Sequence, residues 1–225
     1  MTRPLPIALI SLLAALATGT GVAFADVTIT AQVGADQYAA PAYTVNRGER
    51  ATFQNPDPTA SHNVTAKKKG PDGKPLFRSR TVAGSSTPVD GVQYLDSGTY
   101  RFECTVHAGM EADLQVTGAG TPVARPRIDV AVPAQSLRSV RGSGKLKVRV
   151  RALTDSHDVA ILARKGRRRL GSKTNVDLAA GAARVVRVKV TPAGKRALAG
   201  LDKAGVSARG SVPFGSPDLA RRTLR

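Results

Sequence analysis

The strongest constraint on the fold is the cysteine that ends one segment of alternating apolar and charged residues. From Thr99 to Cys104 apolar and charged residues alternate, so Tyr100, Phe102 and Cys104 share one face of a predicted strand. Cys104 is the chain's single cysteine, so it cannot form an intramolecular disulfide. From the count alone, it is a free thiol, half of an intermolecular bridge or a metal ligand. The alternation places its sulfur on the core side, at the end of the strand and behind two aromatic rings.

Three further side chains surround this cysteine with metal-binding chemistry. His107 and Met110 follow it in one short loop, and His62 lies upstream at the end of another segment. A thiolate, two imidazoles and a thioether form the ligand set of a type 1 (blue) copper centre, which changes between Cu(I) and Cu(II) with little rearrangement. Two alternatives remain: a zinc site, although methionine is a poor zinc ligand, or a degenerate site without metal in which Met110 only fills the core.

The pattern around these residues predicts an all-β fold. Short candidate strands are separated by Gly-, Pro- and Asp-rich turns and show no helical period, which is typical of a β-sandwich. Besides Thr99–Cys104, they are Val27–Val33, Tyr43–Val45, Arg50–Asn55 and Asn63–Ala66.

The C-terminal half predicts a second, smaller β-sandwich. Lys145–Ala152 and Arg184–Val190 alternate between aliphatic and basic residues, so the exposed faces of this sandwich should be basic. Thr191 and Pro192 form an N-cap and first turn of a short helix. The other predicted strands are Ile128–Val132, Asp158–Ala163 and Val206–Val212, and a basic hairpin turn spans Arg164–Arg169. This half loosely resembles small immunoglobulin-like accessory domains of exported bacterial proteins.

Charge divides the chain. Residues 26–120 have a net charge of −1 and residues 121–225 a net charge of +18. A Gly/Pro-rich stretch at 118–126 separates them and is predicted to be a linker between a domain at 26–117 and a domain at 127–225. The basic half is either an anion-binding surface, with anionic components of the cell envelope as partners, or only a soluble surface. Nucleic acid is not expected, because no aromatic residues accompany the basic hairpin.

The first 25 residues predict export. Arg3 precedes an apolar run at residues 7–17, and Ala23-Phe24-Ala25 follows as a cleavage motif. We therefore expect a bacterial protein that is secreted or associated with the cell envelope, with no transmembrane segment after cleavage. The alternative is that this segment is retained as an uncleaved N-terminal anchor.

The motifs of residues 26–117 resemble the cupredoxin family, specifically plastocyanin- and amicyanin-like proteins. The resemblance rests on Phe53-x-Asn55-x-Asp57 before His62-Asn63-Val64, and on Gly98-Thr-Tyr100-x-Phe-x-Cys104-x-x-His107-x-x-Met110. It implies a Greek-key sandwich with one copper ion held by His62, Cys104, His107 and axial Met110. It also implies that Asn63 braces the cysteine loop from outside the ligand set. The two residues between His107 and Met110 are similar to the short loop of amicyanin.

We predict a one-electron carrier that exchanges electrons with redox partner proteins. An enzyme is not expected, because copper oxidases and nitrite reductases need further histidines and only His157 remains. Four protein ligands would also leave no open position for a substrate. The alternative is a copper-binding or delivery module, or a cell-envelope-binding module, without a role in electron transfer.

Overall fold

A computed structural model describes residues 27–225, so the predicted signal peptide at 1–25 lies outside the described residues. Among residues 27–225, no helix has the length and apolar character needed to cross a membrane. Two separate groups of buried hydrophobic side chains organise the chain, one within residues 29–116 and one within residues 128–224.

Strands of the N-terminal half form one sheet in the order β1-β3-β6-β5-β4-β7-β8-β2. They are β1 (Val27–Thr30), β2 (Ala42–Asn46), β3 (Ala51–Asn55), β4 (Thr65–Ala66), β5 (Arg78–Ser79), β6 (Ser85–Asp90), β7 (Gly98–Glu103) and β8 (Glu111–Thr117). Both ends of the sheet are parallel pairs, β1 with β3 and β2 with β8. Since β1 also lies against β2, the sheet folds back on itself into a barrel-like sandwich.

The core of this sandwich follows the alternation in the sequence. Phe53, Phe102 and Leu114 are fully buried, each from the inward face of its strand. Opposite Phe102 on the outer face, Lys67 and Arg101 pair with the carboxylates of Glu103, Glu111 and Asp113. The all-β prediction is confirmed, with shorter strands than the sequence predicted at two places.

Both strands are shortened where the chain takes other hydrogen-bond partners. β1 ends at Thr30, after which Ala31 makes a single bridge to Tyr38 across a turn. The predicted strand Asn63–Ala66 is regular only at Thr65–Ala66. Before it, His62 forms an isolated bridge to Val82, and the Val64 N–H donates to the Ser79 hydroxyl.

The C-terminal half is a second sandwich. A sheet ordered β13-β10-β9 faces a sheet ordered β12-β11-β14-β15. Its strands are β9 (Ile128–Ala131), β10 (Lys145–Ala152), β11 (Ser156–Lys165), β12 (Arg168–Leu178), β13 (Ala183–Lys189), β14 (Ala204–Ser211) and β15 (Asp218–Leu224), with helices α1 (Leu137–Ser143) and α2 (Pro192–Leu198). Aliphatic residues from both sheets and both helices fill the space between them.

The predicted start of α2 is present: the Thr191 side chain accepts a hydrogen bond from the Gly194 N–H, and Pro192 opens the helix. The basic segment Arg164–Arg169 forms the turn between β11 and β12. Helix α1 and strands β12 and β15 were not among the predicted elements of this half. Ser136 is the N-cap of α1, and its hydroxyl accepts a hydrogen bond from the Ser139 N–H.

Candidate metal centre

Cys104 reaches the site because β7 ends one residue earlier. It continues the inward face that buries Phe102, and its residue is only 4% exposed. The Cys104 N–H donates to the Met110 carbonyl oxygen at 3.0 Å, so the loop between the two residues folds back on itself. Gly109 takes a φ of +81°, a left-handed conformation that favours glycine, where this loop turns back. Met110 is therefore held beside Cys104 and is 1% exposed.

His62 arrives from a separate loop that two polar side chains hold in place. Asn55 donates to the carbonyl oxygens of Ala60 and Val82, both at 2.7 Å. The Asp57 carboxylate accepts from Thr59 and Ala60 within the loop and from the Gly34 N–H at 2.9 Å. These hydrogen bonds hold the pKa of Asp57 well below its ordinary value, and the bond from the Thr59 hydroxyl has the largest effect.

Three donor atoms converge at the end of the sandwich. His62 Nδ1 and His107 Nδ1 are 3.0 Å apart, and Cys104 Sγ lies 4.0 Å from the first and 3.8 Å from the second. Together they form a cluster able to hold a metal ion. A triangle of these dimensions would let the two imidazoles and the thiolate hold one metal ion between them.

The two imidazoles differ in their surroundings. His62 is fully buried, and its Nε2 has no hydrogen-bond partner among the described residues. Burial, together with nearby His107, lowers the pKa of His62 and so favours the neutral imidazole that binds metals. The side chain of His107 is 25% exposed, and its Nε2 lies 3.5 Å from Asp36 Oδ1. One histidine therefore anchors the site from inside while the other reaches the surface.

Asn63 joins the two segments that supply the donors. Its Oδ1 accepts from the Thr105 N–H at 3.0 Å, and its Nδ2 donates to the Thr105 hydroxyl at 2.8 Å. Nδ2 also donates to the Thr81 hydroxyl at 2.9 Å. The residue after His62 is thus bonded twice to the residue after Cys104, in the place where the sequence predicted a brace.

The structure brings His62, Cys104 and His107 together and buries Met110 and Asn63 beside them. The axial role of Met110 and the bracing role of Asn63 remain predictions.

Two neighbours of the site, Tyr38 and Asp36, were not predicted from the sequence. Tyr38 is buried, packs edge-on against Phe102 with ring centroids 4.8 Å apart, and donates to the Asn63 carbonyl oxygen at 2.6 Å. Burial raises the pKa of Tyr38 far above its ordinary value, so it stays a neutral donor. Asp36 brings a carboxylate to the exposed edge of His107. Both lie in the turn-rich segment after β1, where no sequence pattern marked them.

The donor set itself distinguishes between metals. A thiolate with two imidazoles suits copper or zinc, whereas hard ions prefer oxygen ligands. A nearby buried thioether suits copper and adds nothing for zinc. The cluster therefore fits a blue copper site.

Comparisons with known proteins found similar solved structures only. No protein-family model matches the sequence, and no curated protein matches it. Among solved structures, amicyanin from Paracoccus versutus is 26% identical over 43% of this chain and 86% of its own, with a TM-score of 0.34. An oxidized mutant of amicyanin is 19% identical over 43% of this chain and 87% of its own, with a TM-score of 0.35.

A third similar structure is auracyanin A, a "blue" copper protein from Chloroflexus aurantiacus. It is 18% identical over 41% of this chain and 98% of its own, with a TM-score of 0.35. By its all-β fold and by the donor atoms that it assembles, the N-terminal half of this chain resembles the cupredoxins.

Proposed function

We propose that the N-terminal half is a type 1 copper centre that carries one electron at a time. The observation that supports this most directly is the convergence of His62 Nδ1, His107 Nδ1 and Cys104 Sγ within 4.0 Å of one another. When bound in such a site, copper supplies a one-electron couple between Cu(I) and Cu(II).

The residues around the site suit this role because they restrict movement. His62 and Cys104 are buried, and Asn63 hydrogen bonds hold their two segments together. Donors held in this way keep one geometry in both oxidation states, so electron transfer needs little rearrangement. Met110 completes the proposed ligand set as a weak axial ligand that tunes the reduction potential.

Exposure of one ligand supports electron exchange rather than substrate turnover. His107 has a partly exposed ring, so its edge offers a short route between the site and a redox partner. With the thiolate, two imidazoles and the thioether all bound, the proposed site keeps no open position for a substrate. We infer an electron carrier and not an enzyme.

Loading the protein with Cu(II) tests the proposal. We expect one copper per chain, an intense visible thiolate-to-copper charge-transfer band and the narrow hyperfine splitting of a blue copper EPR spectrum. Cys104→Ser should abolish the band, while Ser143→Ala, an exposed hydroxyl in the other half, serves as the control. A colourless wild-type protein after loading, or unchanged colour in Cys104→Ser, would refute the assignment.

A second measurement separates a carrier from a copper-delivery module. We expect repeated reduction and reoxidation to return the full colour in the presence of a Cu(I) chelator. Loss of copper to the chelator upon reduction would favour delivery instead.

We also propose that the protein acts outside the cytoplasm, on the evidence of the apolar run at residues 7–17 and the Ala23-Phe24-Ala25 motif. N-terminal sequencing of the secreted protein should begin at Asp26. A mature protein that retains Met1 and stays in the cytoplasm would contradict export.

A further inference from the structure

One surface of the C-terminal half concentrates positive charge on a single sheet face. The outward side chains of β10 and β13 are exposed, while their inward neighbours Leu146, Val148 and Val188 are fully buried. We name this surface the basic face. It consists of Lys145, Lys147, Arg149, Arg151, Arg187 and Lys189.

Strand register places these charges side by side. Lys145 is the direct partner of Lys189, and Lys147 is the direct partner of Arg187. Like charges directly opposite one another are unfavourable. No residue of the basic face forms an ion pair with any other residue in the 27–225 range. Asp129, the partner of Arg151 on β9, brings a carboxylate to one end of the face.

General solubility does not account for this arrangement. Charged residues on an edge strand prevent unwanted sheet pairing, and β13 is at the edge of its sheet. The longer basic row, however, lies on β10, which is the central strand between β13 and β9. A surface shaped only for solubility would also mix positive and negative charges.

We propose that the basic face binds a linear phosphodiester polymer that lies along β10. Alternate residues of a strand are about 6.7 Å apart, so Lys145, Lys147, Arg149 and Arg151 present a straight row of cations. Arg187 and Lys189 form a second, parallel row on β13. Lysine and arginine both bind phosphate oxygens, arginine with two parallel hydrogen bonds.

The shape of the surface favours an extended chain over a bilayer. The charges form two narrow rows, whereas a membrane surface gains nothing from a linear arrangement. Val185, beside the basic face, is the one large apolar side chain exposed among the described residues of β9, β10 and β13, so there is little to insert among lipid chains. These three strands also contain no aromatic residue, so a bound polymer would be recognised by its charge and not by stacked bases.

The test compares two variants of the full chain with the same net charge. The first replaces Lys145, Lys147, Arg187 and Lys189 by Gln. The matched control replaces Arg164, Arg167, Arg168 and Arg169 by Gln, which are four exposed cations of the hairpin between β11 and β12. Binding to poly(glycerol phosphate) is measured by titration calorimetry from low to physiological salt, and circular dichroism verifies that both variants are folded.

We expect the basic-face variant to lose about tenfold or more in affinity at low salt and the hairpin control to lose much less. The salt dependence of the basic-face variant should also be shallower, since fewer counterions are released. Equal losses in both variants would show that net charge alone acts, and would overturn the proposal. So would wild-type binding to vesicles containing anionic phospholipid without binding to the polymer.

Discussion

At the scale of single residues, Asn63 connects the two segments that supply the donor atoms. Replacing Asn63 by Ala removes its bonds to Thr105 and Thr81 and frees the Cys104–His107 loop. We expect copper affinity to fall about 10- to 100-fold, the usual effect of removing a group that orients metal ligands. Competition with a copper chelator measures the change.

A control separates this effect from the loss of any single bond. Thr81→Val removes only the outer hydrogen bond of Asn63 and leaves both bonds to Thr105. It should bind copper nearly as well as the wild type. If Asn63→Ala also keeps full affinity, Asn63 does not brace the site.

The Asp36 carboxylate should tune the reduction potential. A negative charge near His107 stabilises Cu(II) relative to Cu(I), so Asp36→Asn should raise the potential. The size should be on the order of 30 mV, because the carboxylate is exposed to water. Cyclic voltammetry of Asp36→Asn and of Asp129→Asn, an exposed carboxylate in the other half, tests this. Equal shifts in both variants would mean that only net charge matters.

The sequence predicted the donor cluster better than its environment. Cys104 and His107 are close in the chain, and alternation fixed the face of the cysteine, so their convergence could be inferred. His62 was proposed for its chemistry and for the resemblance, but no local pattern placed it beside Cys104, since 42 residues separate the two. Tyr38 and Asp36 could not be predicted, because a coil segment without periodicity positions them and only the folded chain brings them to the site.

At the scale of elements, the loop between Asn55 and His62 depends on the Asp57 carboxylate. The Thr59 hydroxyl and three backbone N–H groups hold the pKa of Asp57 well below the ordinary 3.8. The ionised Asp57 carboxylate therefore stabilises the folded state fully when the pH is above 3.8, its ordinary pKa. This stabilisation is lost as the pH falls toward the lower pKa of the folded state. Asp57→Asn should lower the urea midpoint near neutral pH.

The difference in stability between wild type and Asp57→Asn should also depend on pH. The difference between wild type and Asp57→Asn should shrink as the pH falls below 3.8, since the carboxylate then takes up a proton in the unfolded wild type while it stays ionised in the folded protein. Asp96→Asn, a change at an exposed carboxylate before β7, is the control and should show no such trend. A constant difference across the acid range would show that charge is not the cause.

Element prediction succeeded where alternation was long and failed where pairing was brief. β10 alternates over all eight of its residues and β13 from Val185 to Lys189, so their faces were evident in the sequence. β4 and β5 have two residues each, and only their neighbours in the sheet make them strands. β8 alternates Ala112, Leu114 and Val116 inward, a signal that the sequence reasoning did not use. Helix α1 contains glycine and serine and depends on its cap and on packing.

At the scale of the whole molecule, Phe214 connects the two halves. Its ring lies under the Arg78 guanidinium, with 4.5 Å from the guanidinium carbon to the ring centroid, and 5.9 Å from the Tyr94 ring centroid. The Phe214 N–H donates to Asp72 Oδ2 at 3.1 Å. Its φ of +63° is unusual for a bulky residue, so the surrounding contacts hold it in a costly conformation.

These contacts bear on the predicted independence of the halves, because the stretch at 118–126 is not their only connection among the described residues. If the Phe214 contacts couple the halves, a ligand of one half should stabilise the other. Copper stabilises whichever cooperative unit contains its site. Calorimetric unfolding with and without copper can therefore reveal whether the cores at 29–116 and 128–224 respond together.

We predict that copper raises the unfolding temperature of both cores in the wild type, and of the N-terminal core alone in Phe214→Ala. The substitution removes a cation–π contact and an aromatic pair, which together contribute about 1–2 kcal/mol, and that is enough to weaken a small interface. Leu219→Ala, a change at an exposed apolar residue on β15, is the control and should behave like the wild type. If copper does not change the unfolding temperature of the C-terminal core in the wild type, the halves unfold independently and the Phe214 contacts do not couple them. In that case the fragment 26–120 should keep the full-length reduction potential, as the predicted domain boundary requires.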